Sequence, residues 1–255
     1  MELGYDEAGE GEVLLLVHGF PIDRRIWRHQ VGGLSGVRRV LAVDLRGRGR
    51  SPVPAEGGWT IDDHAEDLAD TIAALGVDAV DLGGISMGGY IAFALLRRHP
   101  ELVRSLILVS TRATADPPEY RTGRVTTAER ARRFGTRALA GSMLPNLLAE
   151  GAPEPVQDEV LAMFDAVPAE TSANDSLAMK DRADSTPMLG SIKVPTLVIE
   201  GAGEQLLPAG SARAMAEAIP GARLASIPGG GHFVPFENPE GVNEAIRRFL
   251  NRSGN

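Results

Sequence analysis

One short stretch, Gly84-Ile85-Ser86-Met87-Gly88-Gly89, constrains the fold of this chain more than any other. An apolar, strand-like run, Ala79-Val80-Asp81-Leu82, leads into it, and a helical pattern beginning near Met87 leads out. Gly-x-Ser-x-Gly between a strand and a helix is the pattern of a sharp turn that lifts a serine hydroxyl clear of a sheet. The glycines have a steric reason. Ser86 is expected in a strained backbone conformation, and a side chain at position 84 or 88 would collide across the tight turn. A Gly-rich connection holding an idle serine is the competing reading, so the surrounding pattern has to decide.

Such a turn needs a parallel sheet behind it. Short apolar runs alternate with amphipathic helical patterns along the chain, as in a sheet covered on both faces. Runs at 13–17, 39–43, 105–109, 194–199 and 223–227 read as strands. Helical spacing around Ile26, Trp27, Val31 and Leu34 follows the first. After the Pro- and Gly-rich loop 52–59, Thr60 and Asp63 form a capping box. Ile61, Ala65, Leu68, Ile72 and Leu75 then share a face, and Gly76 stops the helix. A helix bearing Ile91, Ala94 and Leu95 runs toward His99-Pro100, where proline ends it. Residues 211–219 are helical. The last helix takes Asn238 as cap and Pro239 as its first residue, with Val242, Ile246, Phe249 and Leu250 facing inward.

Between about Arg112 and Lys193 the strand rhythm stops. Helical patterns over 126–139 and at Val156, Val160, Met163, Phe164 and Val167 predict an inserted helical subdomain rather than a loop. The expected division is a core of residues 1–111 and 194–255 and a helical cap of residues 112–193. The arginines from Arg121 to Arg137 read as the solvated face of that cap. Met143, Leu144, Leu147, Leu148, Met163 and Phe164 suggest an apolar lining.

A serine hydroxyl is a weak nucleophile at neutral pH, so it needs a base, and the base needs an orienting acid. With an elbow of this kind the chain order is Ser, then Asp or Glu, then His. His232, in Gly229-Gly230-Gly231-His232, is the one histidine that follows the elbow at the end of a strand. His29, His64 and His99 fall in helical or helix-end contexts and read as surface or half-buried residues, and His18 reads as loop structure. The chain has no cysteine, which removes a thiolate nucleophile, a disulfide and a Cys-based metal site. Acidic clusters with metal spacing and a phosphate-cradling loop after the first strand are also lacking, so no metal and no cofactor are expected.

His18-Gly19-Phe20-Pro21, Asp44-Leu45-Arg46-Gly47-Arg48-Gly49-Arg50-Ser51, the elbow and Gly231-His232 together resemble the α/β-hydrolase superfamily, specifically its small esterase, lactonase and perhydrolase-like branch. The resemblance covers nearly the whole chain. It implies an α/β fold with a mostly parallel central sheet flanked by helices and an inserted helical cap. It also implies a Ser–His–acid triad and an oxyanion hole made by the backbone amides of Phe20 and Met87. Gly19 and Trp27 are expected beside the substrate, although Trp27 can equally pack under the first loop. Asp44 and Arg46 to Ser51 read as ties between loops.

The acid departs from the family pattern. Where Gly-x-x-Asp is expected, Glu200-Gly201-Ala202-Gly203-Glu204-Gln205 puts Glu204 at the Asp position. Glutamate can accept the imidazole N–H and stabilise the imidazolium, and the small Ala202 and Gly203 leave room for the extra methylene. Glu200, at the strand end, is the rival.

The expected function is cofactor-independent hydrolysis of a small-molecule ester or lactone. Perhydrolase or haloperoxidase-like chemistry and carbon–carbon bond hydrolysis use the same residues, and a non-catalytic ligand-binding protein is the rival from another class. A net charge of −8 argues against nucleic acid or an anionic membrane as partner. The acidic start, Met1 to Glu7, lacks the order of a signal peptide, so a cytoplasmic protein is expected. Oligomeric state is left open.

Overall fold

Among residues 1–55 and 57–251, which the computed structural model describes, the apolar runs pair into a seven-stranded sheet. Its strands are β1 (Tyr5–Ala8), β2 (Val13–Val17), β3 (Arg39–Val43), β4 (Val80–Ile85), β5 (Val103–Val109), β6 (Thr196–Gly201) and β7 (Arg223–Ile227), in the spatial order β1-β3-β2-β4-β5-β6-β7. Every pairing is parallel except that of β1 with β3. The central strands β2 and β4 are buried throughout, which explains the unbroken apolar run of β2; in β4 the buried Asp81 interrupts the run and is bonded by Arg38, Arg104 and Ser105. The edge strand β1 is an addition to the sequence reading. Its four residues, Tyr-Asp-Glu-Ala, alternate too weakly to announce a strand, and its place comes from antiparallel pairing of Tyr5 with Val43 and Ala8 with Val40.

The helices are α1 (Arg28–Gly33), α2 (Ile61–Ala74), α3 (Met87–Arg98), α4 (Pro118–Phe134), α5 (Ala140–Leu147), α6 (Glu154–Ala166), α7 (Ala169–Lys180), α8 (Ser211–Ala218), α9 (Val234–Glu237) and α10 (Pro239–Leu250). The Thr60 hydroxyl accepts the Asp63 amide at 3.1 Å while the Asp63 carboxylate accepts the Thr60 amide at 2.7 Å, closing the capping box of α2. Asn238 caps α10 through the Gly241 amide at 2.9 Å, and Val242, Ile246, Phe249 and Leu250 are buried. In the loop 52–59, Glu56 lies outside the described residues. None of the helices among the described residues is long and apolar enough to cross a membrane.

Between β5 and β6 the described chain is helical, through α4 to α7. One expected helix over 126–139 is instead α4, which starts at Pro118, breaks at Gly135 (φ 83°) and continues as a 3₁₀ turn, Thr136–Leu139. Helix α7 had no sequence signature at all. It is buried on nearly every side, so it shows no apolar stripe, and its Thr171, Ser172, Asn174, Asp175 and Ser176 are all inside.

Asp175 explains that composition. Its fully buried carboxylate accepts bonds from Arg48, from Trp59 Nε1 at 2.7 Å and from His64 Nε2 at 3.1 Å. His64 is therefore a buried partner of a carboxylate, not the surface or half-buried histidine expected. Arg48 also donates to the Ile22 carbonyl at 2.8 Å, and Thr171 donates to the Gly47 carbonyl at 2.7 Å. The Asp44–Ser51 segment thus ties the helical segment to the sheet. Arg24 and the Arg50 amide hold the buried Asp44 carboxylate within the same segment. Removing one partner of a buried pair leaves the other charge stranded, so Asp175→Ala should lower unfolding free energy by about 3–5 kcal/mol in urea titrations; a loss below ~1 kcal/mol would contradict this tie.

Candidate active site

The elbow sits at the carboxyl end of β4, where α3 begins. Ser86 has φ 54° and ψ −114°, a conformation that L-residues rarely adopt. It is held from several sides: its amide donates to the Val109 carbonyl at 3.0 Å, and its carbonyl accepts the Gly89 amide at 2.9 Å and the Thr111 hydroxyl at 2.8 Å. A Cβ at Gly84 would collide with the Gly88 carbonyl, and one at Gly88 with the carbonyls of Val17 and His18. The turn therefore forces the end of β2 against the start of α3.

That close approach brings two backbone donors alongside the serine. Met87 opens α3, whose first amides have no intrahelical acceptor, and Phe20 follows β2. Neither N–H has an acceptor among the described residues. Gly19 lies beneath them, where an added Cβ would stand 3.1 Å from the Ser86 Cβ. Gly19 is absent from the cavity lining, so its contact is with the elbow.

His232 follows β7 and is fully buried. Its Nδ1 lies 2.7 Å from Glu204 Oε2, while its Nε2 is buried without a hydrogen-bond partner among the described residues. The Ser86 hydroxyl likewise makes no hydrogen bond there. Glu204 fixes its own orientation by accepting the amides of Leu206 at 2.7 Å and Leu207 at 3.2 Å through Oε1. Burial pushes the Glu204 carboxyl up, but the bond from His232 and these amides outweigh it and hold the pKa below the usual carboxylate range. Glu200, still inside β6, makes no bond to His232.

Sequence reasoning missed Glu237. Its carboxylate accepts the amides of Gly231 at 2.8 Å and Ala149 at 2.6 Å, which ties the His232 loop to the segment after α5. Burial pushes its pKa up. The run Phe233 to Glu237 carries no pattern that would single it out.

Ser86 opens into a cavity of about 410 Å³ whose lining includes Phe20, Tyr90, Met143, Leu206 and Leu207. Trp27 is not part of it. The indole ends a 3₁₀ turn, Arg24–Trp27, and is packed completely into the core with Ile26, which corrects its expected place beside a substrate. Of the six apolar residues expected to line a pocket, only Met143 does; Leu147, Leu148, Met163 and Phe164 are core, and Leu144 packs against it. Most of the arginines on 121–137 are solvated, as their composition suggests, but Arg124 turns inward and lines the cavity with Arg112.

A family model described as the alpha/beta hydrolase fold matches residues 12–239. A thermophilic esterase from Thermogutta terrifontis, solved with malate bound, shares 40% identity with a TM-score of 0.94 over 98% of this chain and 93% of that one. The enol-lactonase from Burkholderia xenovorans LB400 is 30% identical, with a TM-score of 0.89 over 98% and 96%. The 2-hydroxymuconate semialdehyde hydrolase of Pseudomonas putida is 29% identical over 96% of this chain and 89% of its own.

His18 fixes the loop that presents Phe20. Its Nδ1 lies 2.8 Å from the Gly19 carbonyl and its Nε2 accepts the Leu45 amide at 3.0 Å, so the proton sits on Nδ1. The Gly19 carbonyl shares a peptide plane with the Phe20 N–H, so this bond also sets the direction of that donor. Burial, reinforced by the Arg48 charge, lowers the His18 pKa from 6.5 to about 3. In the unfolded chain the ring takes up a proton near its ordinary pKa. Stability is therefore fully present above about 6.5 and falls as pH drops toward 3. Replacing His18 by Gln should flatten this dependence by up to about 1.4 kcal/mol per pH unit in urea titrations run from pH 7 to 5. An unchanged slope would contradict a buried neutral ring.

Proposed function

The chain belongs to the α/β-hydrolase family, and on that premise we propose that it is a cofactor-independent serine hydrolase of a small carboxylic ester or lactone. Ser86 attacks the acyl carbon while His232 Nε2 takes its proton. Glu204 accepts the Nδ1–H bond, selects the tautomer with its basic nitrogen at Nε2 and stabilises the imidazolium. The N–H groups of Phe20 and Met87 receive the negative charge developing on the carbonyl oxygen; in such sites the loss of one donor costs roughly 2.7–4 kcal/mol of barrier. His232 then protonates the departing alcohol, or the ring oxygen of a lactone. Finally a water activated by the same imidazole attacks the acyl-enzyme and releases Ser86.

The observation that carries this reading is the 2.7 Å bond between His232 Nδ1 and Glu204 Oε2, with Nε2 left unpaired. A histidine held in this way has one free nitrogen and one job for it. The unpaired Ser86 hydroxyl is compatible with an unliganded site, where catalytic hydrogen bonds are often long and tighten when substrate binds. The esterase and enol-lactonase names among similar structures support the same substrate class, and a cavity of about 410 Å³ suits a small molecule. Residues 112–193 act as the cap, contributing Met143 and Met179 to the lining.

With p-nitrophenyl butyrate as substrate, Ser86→Ala should abolish measurable turnover. Glu204→Gln, which keeps the shape but not the charge, should lower kcat roughly 1,000- to 10,000-fold by analogy with other triads. Circular dichroism should show both variants folded. Wild-type rates in Ser86→Ala would contradict the nucleophile, and near-normal rates in Glu204→Gln with loss in Glu200→Gln would move the acid to Glu200.

A further inference from the structure

The cavity beside Ser86 holds positive charge that ester chemistry does not use. Arg112 and Arg124 both line it. Behind them lies the buried carboxylate of Asp116, bonded by Arg112, by Arg124 Nε at 2.9 Å and by Arg182 Nη2 at 2.9 Å. Burial pushes the Asp116 carboxyl up, but the bonds and charges of Arg182 and Arg124 outweigh it and hold its pKa at about 2. Asp116 is thus one negative charge shared by three guanidinium groups.

The three arginines differ in what else they do. Arg182 is the most fully engaged: both of its terminal nitrogens are used, donating also to the Met179 and Thr114 carbonyls at 2.8 Å, and it stacks over the Tyr90 ring at 4.1 Å, although its buried Nε has no partner among the described residues. Arg124 bonds through its Nε alone, so its two terminal nitrogens have no acceptor among the described residues. Arg112 gives one nitrogen to Asp116, and its buried Nε has no partner. Glu119, exposed and without an ion pair among the described residues, is the one acid in the lining. Arg112 is buried, and a buried guanidinium with an unused donor is costly unless an anion completes it; Arg124 is half-buried and keeps its two terminal nitrogens for a ligand.

We propose that the free donors of Arg124 and Arg112 form a carboxylate-binding subsite, so that the ester or lactone offered to Ser86 carries a second, ionised carboxyl group. The substrate half of this inference rests on the hydrolase reading; the subsite itself does not. The charge balance selects the anion. Three arginines against Asp116 and Glu119 leave one net positive charge, which matches a carboxylate rather than a phosphate dianion. The planar guanidinium fork also fits a carboxylate with two parallel bonds. Met143, Met179, Leu206 and Leu207 supply apolar wall for the carbon chain between the two ends.

Calorimetry on the Ser86→Ala protein tests this without turnover, using monomethyl glutarate and dimethyl glutarate, which differ by one charge. The half-ester should bind roughly 10- to 100-fold more tightly, the range expected of charge-assisted hydrogen bonds. The preference should weaken with added salt. Adding Arg124→Met should bring the ratio close to one, and Arg124→Lys should keep only part of it. Equal binding of the two esters overturns the subsite. So does a preference that survives Arg124→Met, and so does inorganic phosphate binding more tightly than the half-ester. If Arg124→Met does not fold, the ratio in the Ser86→Ala protein and its salt dependence decide. Turnover of p-nitrophenyl butyrate by the wild type is read separately. Its absence with the half-ester preference intact refutes the hydrolase and leaves the subsite standing.

Discussion

The contact on which the candidate active site depends is the close approach of the end of β2 to the β4–α3 turn. Ser86 stands at a positive φ, a conformation worth of order 1–3 kcal/mol of strain, and it persists because neighbours hold it on several sides. Glycine at 84 and 88 lets the Val17 and His18 carbonyls come within contact of α3. One steric requirement thereby places the Phe20 loop, the Met87 amide and the serine hydroxyl side by side. His18 and Leu45 then lock the loop that the approach has brought in. The sheet provides the rest: β6 and β7 lie beyond β5 in the same parallel order, so the segments after them deliver Glu204 and His232 to one edge.

Two kinds of residue differ sharply in how far the sequence displays them. The elbow is legible because its sterics demand a specific spacing of glycines around a serine. His232 is legible because chain order and three preceding glycines leave little competition. Glu204 and Glu200 are only four residues apart on the same strand exit, and no local rule says where the strand stops and the loop begins. That choice needs the bond between Glu204 and His232. Trp27 and Met143 illustrate the same limit: an apolar residue near a site reads alike whether it faces a cavity or the core, and the two take opposite places.

The buried polar groups were the least visible. Helix α7 carries no apolar stripe because its inner faces are polar and matched to partners far along the chain, Asp175 to Arg48, Trp59 and His64. Arg124 sits in a row of arginines that looks solvated, and its partner Asp116 lies before the helix that carries it. Such pairs follow from tertiary contact, not from periodicity. They also divide the labour of the helical segment, with Asp175 fastening it to the loops after β3 and Asp116 arranging the arginines that reach the cavity.

The central claim is that Ser86 is a nucleophile activated by His232 and Glu204. Intact-mass spectrometry after treatment with a fluorophosphonate, which phosphonylates activated serines, tests it most directly. The account predicts one adduct per chain, mapped by peptide digestion to the segment containing Ser86, absent from Ser86→Ala and formed far more slowly in Glu204→Gln. A wild-type chain that takes no adduct, or takes it on another residue, would contradict the account.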